Sequence, residues 1–138
     1  MVDCDSQSNL TAYSLSETRI NQAWAPEGSS IFRQLELVNR TIGDIYNRMP
    51  TKVSDNLFLI PGDLSLSEFE DRLGDSWNGA KGGNEGALRA QSAIYRIILQ
   101  SIEKSDAEIV LLDLGPNLGA INRAVLAGSD WAVRQIAV

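Results

Sequence analysis

A chain of 138 residues with 43% hydrophobic and 22% charged content is long enough for one domain with one core and has the make-up of a globular protein. Its net charge of −6, with no long run of either sign, offers no basic face for nucleic acid. The lack of histidine and the single cysteine, Cys4, exclude Ser-His-Asp and Cys-His nucleophiles, an internal disulfide and a structural zinc site.

Catalysis, if any, has to come from carboxylates, hydroxyls, amides or a bound metal ion. No stretch approaches the ~20 apolar residues of a membrane span. The acidic start, Met1 to Asp5, is unlike a signal peptide. One unpaired cysteine fits a reducing compartment, so the expectation is a cytoplasmic protein.

In chain order, Met1-Val2-Asp3-Cys4-Asp5 reads as the last residues of a buried strand with no strand in front of it, as if the chain started late in a longer domain. Residues 6–28 are polar, with two candidate turns. Ser29 or Ser30 can cap a helix, and Ile31, Leu35, Val38, Ile42 and Ile45 mark one face of that helix over roughly 30–48. Asn56 to Gly62 is a short apolar run closed by Pro-Gly, a buried strand. Ser65 or Ser67 starts a short acidic helix to about Leu73. Residues 74–86 hold five of the eleven glycines and predict a flexible loop.

A second long helix is expected at roughly 85–104, with Ala90, Ile94, Ile97, Ile98 and Ile102 on its inner side. Glu108 to Asp113 is the clearest strand, and its four consecutive large apolar residues predict burial on both faces, as in a parallel sheet. Gly115, Pro116 and Gly119 make a loop, and a helix covers about 120–127. Trp131 to Val138 is a last candidate strand. Helices alternating with buried strands indicate an α/β sheet built from βαβ crossovers.

Two acidic sites lie at strand ends. Asp113 ends the run Ile109 to Leu112, where open α/β sheets bind ligands and where phosphoryl-transfer enzymes hold Mg²⁺. Alone, such an acid reads first as one that stops a strand or caps the next helix. Asp3 and Asp5, one residue apart, can hold Mg²⁺ waters and orient an attacking water. Alone, they read first as a polar turn.

Together the segments resemble a family. Asp3-x-Asp5-x-Gln7-x-Asn9-Leu10-Thr11 is similar to the D-x-D-P-Q-x-N segment of ParA/MinD-type (deviant Walker A) partition ATPases. Ile109 to Asp113 with Pro116, Leu118 and Gly119 resembles that family's Walker B strand and switch. Asn56 to Phe69 and Ala124 to Asp130 resemble its middle strand and a later helix end, in family order. Ser6 and Gly115 stand where the family has proline.

The resemblance implies an α/β, partial P-loop NTPase-like fold with a mostly parallel sheet and flanking helices. On it, residues 1–138 form part of a ParA-like nucleotide-binding domain, with the N-terminal P-loop strand and the C-terminal part missing. It implies ATP and Mg²⁺ as cofactors of the parent family. It places Asp5 as the hydrolytic residue, Asp3 and Asp113 at the metal, and Asp3, Asp113, Pro116 and Gly119 at the nucleotide, with Pro116 to Gly119 sensing the γ-phosphate.

The implied partners are a second copy or a full-length ParA-like relative and a centromere-binding, ParB-like protein. Non-specific DNA is a partner of the parent only. The family's K-G-G-x-G-K-[ST] loop has no counterpart: Lys81-Gly82-Gly83-Asn84-Glu85-Gly86 is followed by Ala87 and Leu88 and lies between the two aspartate motifs, as a connector does. The chain is therefore expected to be inactive alone. The alternative is a non-enzymatic interaction protein that pairs with and modulates a full-length relative.

Overall fold

The apolar runs of β1 (Val2–Asp3) and β4 (Leu112–Asp113) pair in parallel, with Val2 opposite Leu112 and Asp3 opposite Asp113. The computed structural model describes residues 1–133. On the other side of β1, Ile60 makes a parallel bridge to Val2. The strands share one face: Val2, Cys4 and Ile60 are buried, with Val110 and Leu112 packed partly against the same core. The fold is α/β, a small parallel sheet flanked by helices.

The helices lie where apolar spacing demands, with informative exceptions. Residues expected as turns form α1 (Asn9–Ser14) and α2 (Glu17–Trp24). The amphipathic segment after them forms α3 (Ile31–Asn39), whose N-cap Ser30 accepts a hydrogen bond from the Arg33 amide. It stops well short of residue 48 because Thr41 adopts a left-handed conformation (φ 59°), which ends a helix. Ile42 is therefore left exposed.

The chain then forms a hairpin of β2 (Thr51–Ser54), which the sequence did not reveal, and β3 (Leu57–Leu59). The expected strand at 56–62 is thus split between this hairpin and the bridge at Ile60.

The expected loop at 74–86 is mostly helix. α4 (Leu66–Lys81) runs through Gly74 and Gly79, and only Gly82, Gly83 and Asn84 separate it from α5 (Glu85–Ser105). Gly83 has φ 78°, the left-handed stop that glycine adopts freely. Asn84 then caps α5 by accepting from the Ala87 amide at 2.9 Å. The Lys81–Gly86 segment is a helix–helix elbow.

Leu66, Phe69 and Leu73 of α4 and Ile94 and Ile97 of α5 are buried with Ile31 and Leu35 of α3. Each such side chain contributes roughly 1.5–3 kcal/mol. α6 (Ala120–Ala127) closes this layer through Ile121 and Val125.

The 108–113 segment is not buried on both faces. Val110 and Leu112 face the helices, but Ile109 is 76% and Leu111 63% exposed. Only Leu112–Asp113 of the expected strand is strand; the helices cover one face of the segment, and among the described residues nothing covers the other. In the last candidate strand, 131–133 lack regular structure and 134–138 lie outside the described residues.

Candidate functional site at the strand tips

Parallel pairing of β1 with β4 brings the two acidic motifs to one end of the sheet. Asp3 sits opposite Asp113, and the Cys4 amide donates to the Asp113 carbonyl at 2.9 Å. Asp5 is two residues beyond Asp3, and the loop after β4 turns back against it. A Cβ added to Gly115 would lie 3.2 Å from Asp5 Oδ1. All three aspartates named from sequence therefore meet at the carboxyl ends of the parallel strands.

Their environments differ. Asp3 is fully buried. Its Oδ2 accepts from the Thr11 amide at 2.8 Å and from Thr11 Oγ1 at 2.6 Å, and its Oδ1 accepts from the Asp5 amide at 3.2 Å. Thr11 Oγ1 in turn accepts from the Gly62 amide at 2.7 Å. A buried carboxylate needs such donors, and here they tie β1, α1 and the loop after β3 together. Gly62 has to be glycine because a Cβ there would approach Asp3 Oδ2 and Ser8 Oγ to 2.8 Å. Beside this network, Ser8 is left-handed (φ 53°) and its buried hydroxyl has no hydrogen-bond partner among the described residues.

Asp5 is partly exposed. Its Oδ1 accepts from the Gln7 amide at 3.0 Å and its carbonyl from the Ser8 amide at 2.9 Å, which leaves Oδ2 open. Asp113 is exposed at the tip. Loss of hydration pushes its carboxyl above the usual range, and the negative charges of Asp3 and Asp5 push it further. Burial, and after it the negative charges of Asp3 and Asp113, push the Cys4 thiol up.

The loop from Leu114 to Gly119 is held at both ends. Asn122 Nδ2 donates to the Gly115 carbonyl at 2.7 Å and also to that of Asn117. At the far end, the Ala120 and Ile121 amides both donate to the carboxylate of Glu70 on α4. Pro116 and Leu118 are exposed, while Gly119 sits under Glu70. Thr11 belonged to the motif as read, but Gly62 and Glu70 act across the fold and Asn122 closes its own loop, and no sequence pattern marked them.

These residues fit one half of an Mg²⁺–nucleotide site. A cation would offset both the lost hydration and the neighbouring negative charges that raise Asp113, and among the described residues Asp5 and Asp113 each have an oxygen open to metal-bound water. Among the described residues, no three acidic or cysteine side chains converge closely enough to ligate a metal together, so a cation here would complete its shell with water or phosphate oxygens. The triphosphate half does not fit. Its cradle requires a glycine-rich loop and a lysine, and the one glycine-rich segment with a lysine is the α4–α5 elbow.

Acids at the carboxyl edge of an α/β sheet lie where domains of this class bind their ligands. The chain belongs to the AAA domain family, a ParA/MinD-like group of P-loop NTPases, whose model matches residues 1–137. The fold is similar to the crystal structure of protein DIP2308 from Corynebacterium diphtheriae. The two share 27% identity and a TM-score of 0.77 over 94% of this chain and 46% of that one. The chain thus spans about half the length of that protein. No curated protein matches it.

Proposed function

We propose that this chain supplies the metal and water side of a ParA-like ATPase site used in plasmid or chromosome partitioning. The supporting observation is the meeting of Asp3, Asp5 and Asp113 at one strand edge in the family's order. In this reading Asp113 and Asp5 hold hydrated Mg²⁺, and Asp5 orients the attacking water through its open oxygen. Asp3, saturated by Thr11, fixes the turn that aims Asp5. Pro116 to Gly119 lie over the nucleotide. ATP and Mg²⁺ are the cofactors, and the phosphate cradle comes from residues outside these 138. Partners are a second copy or a full-length relative and a ParB-like centromere-binding protein.

Alone, the chain is expected to release no phosphate from ATP above the buffer rate. Phosphate release that is abolished by Asp5→Ala would overturn the inactivity. Loading a full-length relative that carries the equivalent of Asp5→Ala, and finding its turnover undiminished, would overturn the catalytic role.

A second reading, a non-enzymatic partner that pairs with a full-length relative, is favoured by the uncovered Ile109 and Leu111 just before β4. Co-sedimentation with that relative, lost in an Ile109→Lys, Leu111→Lys variant, would support it. Co-sedimentation unaffected by the variant would sink it.

A further inference from the structure

α6 begins without a cap of its own. Its N-cap is Gly119, which has no side chain, and its first turn carries no acid. A helix start leaves amides without partners and a partial positive charge. Here both needs are met from another helix. Glu70, half-buried on α4, receives the Ala120 amide on one carboxylate oxygen and the Ile121 amide on the other, the latter at 3.0 Å.

Glu70 makes no ion pair among the described residues, so both oxygens serve α6. The fit is close enough that the carboxylate stands where a Cβ on Gly119 would be. Two helical turns further along the same face of α4, Trp77 lies under the Arg123 guanidinium of α6, 5.7 Å from its ring centroid. α4 therefore grips α6 at two points, and the first is the end of the loop that starts at Asp113.

We propose that Glu70 is a positioning residue: by capping α6 from α4 it fixes the far end of the 114–119 loop and so couples α4 to the acidic tip. That this coupling serves nucleotide chemistry rests on the function proposed above. The capping itself does not.

Amide hydrogen exchange on the full chain tests it in two arms. In metal-free buffer, the Ala120 and Ile121 amides are expected to exchange at least tenfold faster in Glu70→Ala. They should do the same in Gly119→Ala, which leaves Glu70 in place but fills its seat. In Glu70→Gln, which keeps one acceptor oxygen, one of the two amides should stay protected. The Thr11 amide, held by Asp3, should be unchanged in all three.

Unchanged protection at Ala120 and Ile121 in Gly119→Ala and Glu70→Gln would overturn the proposal, whatever Glu70→Ala does to overall stability. In the second arm, millimolar MgCl₂ should slow exchange across 115–121 in the wild type more than in Glu70→Gln. Equal slowing in both would overturn the coupling to the tip. A wild type indifferent to MgCl₂, with the apo differences intact, would sustain the cap and count against the metal reading instead.

Discussion

Asp113 carries a charge that the fold resists. Desolvation and the nearby Asp3 and Asp5 raise its carboxyl above the ordinary range, so the folded state binds its proton more readily than the unfolded state. As pH rises from the usual aspartate value of about 3.9 through the raised one, that difference lowers stability. Asp113→Asn is therefore expected to raise Tm at pH 7, by a few degrees at most because the site is exposed and screened. The gain should vanish at pH 3, where both proteins are neutral at this position. Thermal melts at the two pH values check this, and a lower Tm for the variant at pH 7 would refute it. The carboxylates themselves could be picked out from the sequence, because acids at the ends of apolar runs form a local pattern. Their unequal burial could not, since Asp3 is sealed with the help of Gly62, from a distant part of the chain.

At the scale of elements, long periodic segments were legible and irregular ones were not. α5 follows its apolar spacing closely. α4 overran its expected end because Leu73 and Ser76 are buried and α5 packs along it, which outweighs the ~1 kcal/mol that each interior glycine costs a helix. Gly74 is exposed, and none of the described residues lies within 4 Å of where its Cβ would be. Gly74→Ala is thus expected to stabilise the protein by about 0.5–1 kcal/mol, read as a shift in urea midpoint at constant slope. A destabilised variant would mean that this glycine serves a purpose not visible in its packing. α3 was overpredicted for the opposite reason: a left-handed Thr41 interrupts a stripe that periodicity alone would continue.

For the whole molecule, the α/β class and the order of the large helices followed from alternating patterns. The short β4 and the one-sided cover of the 108–113 segment did not, because four apolar residues in a row look the same whether one face or two are packed. Ile109, Leu111 and Leu118 are more than half exposed, and an apolar strand flank of this kind promotes association. Sedimentation velocity is expected to show self-association in the micromolar range. An Ile109→Lys, Leu111→Lys variant should weaken it at least tenfold. A wild type that stays monomeric at 100-fold higher concentration would count against an adhesive flank.

The parallel ladder that assembles the tip joins residue 2 to residue 112. Closing a chain segment of that length costs about 4 kcal/mol of entropy, against a ladder of two residue pairs. The helices between have to condense first, so folding speed should be governed by this late, distant closure and not by helix formation. During synthesis β1 leaves the ribosome well ahead of β4 and waits for that partner until residue 112 has emerged. Val2 and Cys4, buried in the native state, spend that interval exposed, which is when this protein is most open to chaperones and to misassembly.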